Sequence, residues 1–186
     1  MTHTPTVAYR ARLLTGLLLL VLPGVPSFAQ TPLEDDPGFL DLASMTAWFD
    51  REPTLEVDIQ GSLLRLVAEA SRYDDPELAD LLTRLRAIQV RGFPLPRTRF
   101  NEIARRTAEV ATRLEAAGWD TVLRVRDYDE QVHMYVRVHD NAIAGMVVFV
   151  VKPGYDETVF VNIVGEIDPE QVGRLGRKFS FGRLER

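Results

Sequence analysis

The spacing of hydrophobic positions changes several times along this chain, and each change predicts a different kind of structure. Leu13 to Leu22 is an almost unbroken apolar run. From Phe39 the period is helical, and Phe39, Leu42, Thr46 and Phe49 predict a short helix ending near Asp50. Residues 54–60 then alternate, with Leu55, Val57 and Ile59 on one side and Glu56 and Asp58 on the other, as in a half-buried strand. Gly61-Ser62 opens a helix whose expected inner stripe is Leu63, Leu66, Val67 and Ala70.

Asp75-Pro76-Glu77 opens another helix, with a side-chain cap, a proline in the first turn and an acid at the positive end of the helix. Leu78, Leu81, Leu82 and Leu85 continue it at core spacing. A second strand follows over 87–93, with Ile88 and Val90 inward, Gln89 and Arg91 outward, and Pro94 and Pro96 ending it. The longest helix is expected over 98–117. Phe100, Ile103, Thr107, Val110, Leu114 and Ala117 form its stripe, and Glu102/Arg106 lies on its solvated face.

From Trp119 the period is two, and four strands are expected: 119–126, 131–139, 142–152 and 158–165. Asp168-Pro169-Glu170-Gln171 then begins a last helix, docked through Val172, Leu175 and Phe179. The expected architecture is α+β: a mixed sheet of about six strands ending in a four-strand antiparallel meander, with helices packed mainly on one face.

The apolar run at the start is an address rather than a core element. Arg10 and Arg12 precede it, Pro23, Gly24 and Pro26 end it, and Ser27-Phe28-Ala29 supplies the small residues of a cleavage site. A membrane-spanning helix needs about 20 apolar residues, more than this run offers. Residues 1–29 are therefore expected to be a secretory signal peptide and 30–38 a flexible acidic lead-in. A single α+β domain follows over 39–186, exported to the periplasm or beyond and without an integral membrane span once the leader is removed. Losing Arg10 and Arg12, and no acid, makes the formal net charge of −5 still more negative. Nucleic acid is excluded as a partner, since it demands a basic footprint. The absence of cysteine excludes disulfides, thiolate metal sites and a cysteine nucleophile.

Strand pairing predicts a candidate surface. A tight turn at Asp127–Glu130 sets Val125 opposite Val132, Leu123 opposite Met134 and Thr121 opposite Val136 on an apolar face. The other face pairs Arg126 with Gln131, Arg124 with His133, Val122 with Tyr135 and Asp120 with Arg137. A two-residue turn at Asp140-Asn141 then sets Val138 opposite Ile143, Val136 opposite Gly145 and Met134 opposite Val147. In the strand over 142–152, Ile143, Val147, Phe149 and Val151 are expected inward, and Ala144, Met146, Val148 and Val150 outward. The outer face should thus carry a strip of Met146, Val148 and Val150 beside Tyr135, rimmed by Arg124, Arg137 and His133. Either the chain's own helices cover that strip or an envelope protein partner does.

Catalytic chemistry is hard to find. His133 and His139 are about 20 Å apart along one strand, too far to share a metal, and read as surface residues. No serine lies in a nucleophile-elbow setting, and no cofactor-binding motif or metal-ligand cluster occurs. Glu56 and Asp58 could pair as carboxylates, with Glu166 as a third, but a solvated strand face explains the first two as well.

Val159-Phe160-Val161-Asn162-Ile163-Val164-Gly165-Glu166-Ile167-Asp168-Pro169-Glu170-Gln171-Val172-Gly173-Arg174-Leu175-Gly176 is a distinctive stretch. Together with Glu56-Val57-Asp58-Ile59, Asp75-Pro76-Glu77-Leu78, Ile88-Gln89-Val90-Arg91 and Ile143-Ala144-Gly145-Met146-Val147-Val148, it resembles an exported bacterial family catalogued as domain of unknown function 4252. The resemblance runs from about Pro37 to Leu184. It implies a secreted α+β domain without assigned biochemistry or catalytic residues, and an association with envelope signalling. The expected function is a non-catalytic envelope binding or regulatory domain acting through Tyr135, Met146, Val148, Val150, Arg124, Arg137 and His133. The alternatives are a hydrolase or small-ligand binder built on Glu56, Asp58 and Glu166, and a structural subunit joined through edge strands.

Overall fold

The computed structural model describes residues 31–168. The leader expected over 1–29 and the helix expected after Asp168, with Val172, Leu175 and Phe179, lie outside the described residues. Six strands form one sheet: β1 (Leu55–Gln60), β2 (Leu85–Leu95), β3 (Asp120–Arg126), β4 (Gln131–His139), β5 (Ala142–Val151) and β6 (Gly154–Ile167). Four helices accompany them: α1 (Ala43–Thr46), α2 (Ser62–Ser71), α3 (Pro76–Arg84) and α4 (Phe100–Ala116).

The strand order is β1-β2-β6-β5-β4-β3. All five pairings are antiparallel, so the sheet is not mixed as expected. The meander β3–β6 is present, and β6 returns to lie beside β2. α4 follows β2 and leads into the edge strand β3, so the connection passes β6, β5 and β4 in one helix.

Local chemistry explains most boundaries. The Asp75 side chain accepts from the Leu78 backbone N–H at 3.2 Å, with Pro76 behind it, and starts α3. Asp140 and Asn141, at φ 49° and 65°, make the two-residue hairpin turn that favours the right-handed strand twist. β2 runs on to Leu95, past Pro94. α1 is a single turn rather than a helix from Phe39 to Asp50. The stripe of α2 is shifted: Leu64 and Ala68 are buried, whereas Leu63 and Leu66 are exposed.

The main core lies on one side of the sheet. α4 contributes Phe100, Ile103, Val110, Ala111 and Leu114, and the segment around α1 contributes Leu42 and Met45, with Trp48 and Phe49 alongside. They pack on Phe93, Leu95, Tyr135, Val147, Phe149, Val151 and Phe160. A smaller cluster sits at one corner of the opposite side, where Leu64, Ala68 and Leu82 of α2 and α3 meet Ile59, Leu85 and Ile88.

Candidate functional site

The two sides of the sheet are set by a register that changes in the middle of the meander. The β3–β4 pairing keeps Val125 opposite Val132, Leu123 opposite Met134 and Arg124 opposite His133, then slips so that Tyr135 faces Thr121. In β4–β5, Val138 faces Ile143, but Arg137 faces Gly145, leaving Ala144 as an extra residue. Beyond this bulge Tyr135 faces Val147, Met134 faces Val148 and Val132 faces Val150. Strand side chains alternate, so one extra residue exchanges the faces.

The segment before α1 packs against the bulge. Gly38 crosses the sheet directly over Gly145, and a Cβ on Gly145 would sit 2.5 Å from the Gly38 Cα. Asn162 of β6 holds the crossing in place. Its Oδ1 accepts from the Leu40 backbone N–H at 2.9 Å, and its Nδ2 donates to the Gly38 carbonyl at 3.0 Å and the Met146 carbonyl at 3.2 Å. Asp36 pairs with Arg86 of β2. Arg86 also donates to the Thr31 carbonyl, so the segment expected as a flexible lead-in is tied to the sheet at Thr31, Asp36 and Gly38.

The expected strip divides between the two faces. Tyr135 and His133 lie on the core face with 0% and 1% exposure, so neither is available to a partner as expected. Arg124 pairs with Glu115 of α4, and Arg137 donates to the Gly118 carbonyl at the α4–β3 turn, so both brace the core face. Met146, Val148 and Val150 do lie on the opposite face, and they have different neighbours from those expected. Val132, Met134 and Val136 flank them on β4, and Val159, Val161 and Ile163 on β6. All nine are half-buried. Beyond them on β3, Leu123 and Val125 are 42% and 41% exposed.

This aliphatic face continues over Val90 and Val57 to the α2–α3 corner. α4 and the α1 segment occupy the other side; α2 and α3 bury their apolar residues on Ile59, Leu85 and Ile88, and α3 also approaches β6. Gly145 was the available sequence signal for the true arrangement, because a glycine inside a strand marks a bulge or a close backbone approach.

On the core face His133 forms a compact polar group with its neighbours. Its Nδ1 is 3.2 Å from the Tyr135 hydroxyl, and Arg124 Nη2 reaches that hydroxyl at 3.5 Å. Which of the hydroxyl and Nδ1 donates in this contact is set by the imidazole tautomer. Nε2 has no partner among the described residues. Burial, then the charges of Arg124 and Arg126, push the imidazole pKa below its ordinary value, against a smaller opposing effect of Glu115. Hydrogen bonds from Thr121 and then Arg124 hold the Glu115 carboxyl below the usual range.

Of the three carboxylates in the alternative catalytic reading, Glu56 and Asp58 meet on one arginine: both pair with Arg91 Nη2, at 3.1 and 2.6 Å. Arg91 is buried across the β1–β2 ladder rather than facing outward. Glu166 lines a separate cleft of about 510 Å³ with Arg84, Arg86 and His139. Among the described residues no three histidines or acids could hold a metal ion, and no helix is long and apolar enough to cross a membrane.

The family model described as "Domain of unknown function (DUF4252)" matches residues 48–175. No curated protein and no solved structure matches the chain.

Proposed function

The chain belongs to the DUF4252 family, and on that premise we propose that it is an exported, non-catalytic binding domain of the cell envelope. Its contact surface is the aliphatic side of the sheet, centred on Met146, Val148 and Val150 of β5. One observation carries the reading: a continuous apolar face crosses the sheet outside the main core, and described helices pack only on its corner. Contiguous apolar area of this kind marks an interaction site more often than idle surface. The partner chemistry that fits is a protein segment presenting aliphatic or aromatic side chains, since this face offers no charge to recognise. Export is supported by the leader pattern of residues 1–29.

Site-specific photocrosslinking in native envelopes tests this. A photoreactive residue at Val148 should give discrete adducts with a second protein that are absent when the probe is at Arg105, on the exposed side of α4. Equal labelling from both positions, or none from Val148, would refute the binding face.

A further inference from the structure

On the reading that the aliphatic face is a binding surface, we propose that its resident occupant is residues 169–186 of the same chain, packed as a helix over β5 and β6. Three observations lead there. β6 is a central strand that ends at Ile167, so the chain leaves the sheet in its middle rather than at an edge. The core face is already filled by α4 and the α1 segment, which leaves only the aliphatic side within reach. The sequence that follows has a matching stripe: Val172, Leu175 and Phe179 recur at helical spacing, while Arg174, Arg177 and Lys178 fall on the opposite side.

The dimensions agree. Val172 to Phe179 extends about 10 Å at about 1.5 Å per residue. Val159 to Ile163 of β6 extends about 13 Å at about 3.3 Å per residue. A helix returning over β6 thus sets its three apolar side chains along the Val159–Val161–Ile163 row and against Val148 beside it. Gly173 and Gly176 lower the intrinsic helix propensity of this stretch of sequence, so the proposed helix depends on burying its apolar stripe against the sheet.

The cysteine-free chain permits a direct test, because any disulfide must come from introduced residues. The full-length Val148→Cys/Leu175→Cys protein should form an intrachain disulfide at monomer mass under mild oxidation, and Arg105→Cys/Leu175→Cys should not. A second measurement uses the apolar dye ANS. Full-length protein should bind little of it, and Leu175→Asp should raise the fluorescence several-fold while far-UV circular dichroism keeps its strand signal. Disulfides that only join two chains would overturn the proposal in favour of a second copy on this face. Strong dye binding by the unmodified protein, unchanged in Leu175→Asp, would also overturn it while leaving the binding face intact. Failure of the binding reading shows separately, as the absence of partner adducts at Val148.

Discussion

The two sides of the sheet share six strands and differ in what their side chains ask of a neighbour. The core face combines large aromatics with a few buried polar groups, most of them held by specific partners. Phe160 touches the rings of Trp48, Phe49, Phe93 and Phe149, and Asn162 binds three backbone groups. Such a surface accepts one packing, because any shift strands a hydrogen bond or opens a cavity. The aliphatic face has valines, isoleucines and methionines and no such polar anchors over its central strands. It can accept many complements of the right shape, and methionine adds adaptability. The difference teaches that specificity of fold resides on one side of this sheet and capacity for exchange on the other.

Truncation tests that contrast most strongly at adjacent positions of β6. Phe160→Ala removes a fully buried ring and should cost about 3–5 kcal/mol in urea unfolding. Val161→Ala, one residue on and on the other face, is half-buried and should cost about 1 kcal/mol or less. Equal losses would erase the distinction between the faces.

The next effect probes how the faces are assigned. Asn162→Ala leaves the Leu40 N–H without its acceptor and the Gly38 carbonyl without its donor, and should cost about 1–3 kcal/mol. Hydrogen exchange at Leu40 should quicken, because the Gly38–Gly145 crossing loses its clamp. An unchanged exchange rate would mean that backbone packing alone positions this segment.

That crossing also marks where the sequence stops being legible. The elements could be read from periodicity and caps because those signals are local: Asp75-Pro76 starts α3, and Asp140-Asn141 turns the β4–β5 hairpin. The faces of β4 and β5 could not, because the bulge between them sits at a close approach to Gly38, more than a hundred residues away in the chain. Assigning Tyr135 and His133 to an exposed strip followed from carrying an unbroken register through Gly145. The α2 stripe failed for a related reason: two leucine sets fit the helical period, and the position of α3 decides which is buried. That Met146, Val148 and Val150 share the face opposite Val147 and Phe149 was legible, because alternation within one strand is local.

The smallest effect concerns the polar group that the core face tolerates. His133 is surrounded by Arg124 and Arg126 of β3, Tyr135 of its own strand, Phe149 of β5 and Glu115 of α4. Its folded pKa is lowered by burial and then by the two arginines, so the folded state favours the neutral ring. The unfolded chain takes up a proton near pH 6.5, whereas the folded chain resists until lower pH. The stability associated with neutral His133 is therefore present above about pH 6.5 and declines as pH falls toward the folded value. The slope has an upper limit of about 1.4 kcal/mol per pH unit for one proton. His133→Phe keeps a ring at the site and removes the titration. Between about pH 5 and 7, urea unfolding should show the wild-type protein losing stability relative to this variant as pH drops. Parallel curves would mean that the imidazole protonates without cost, so that this corner of the core face is wetter and more open than the rest.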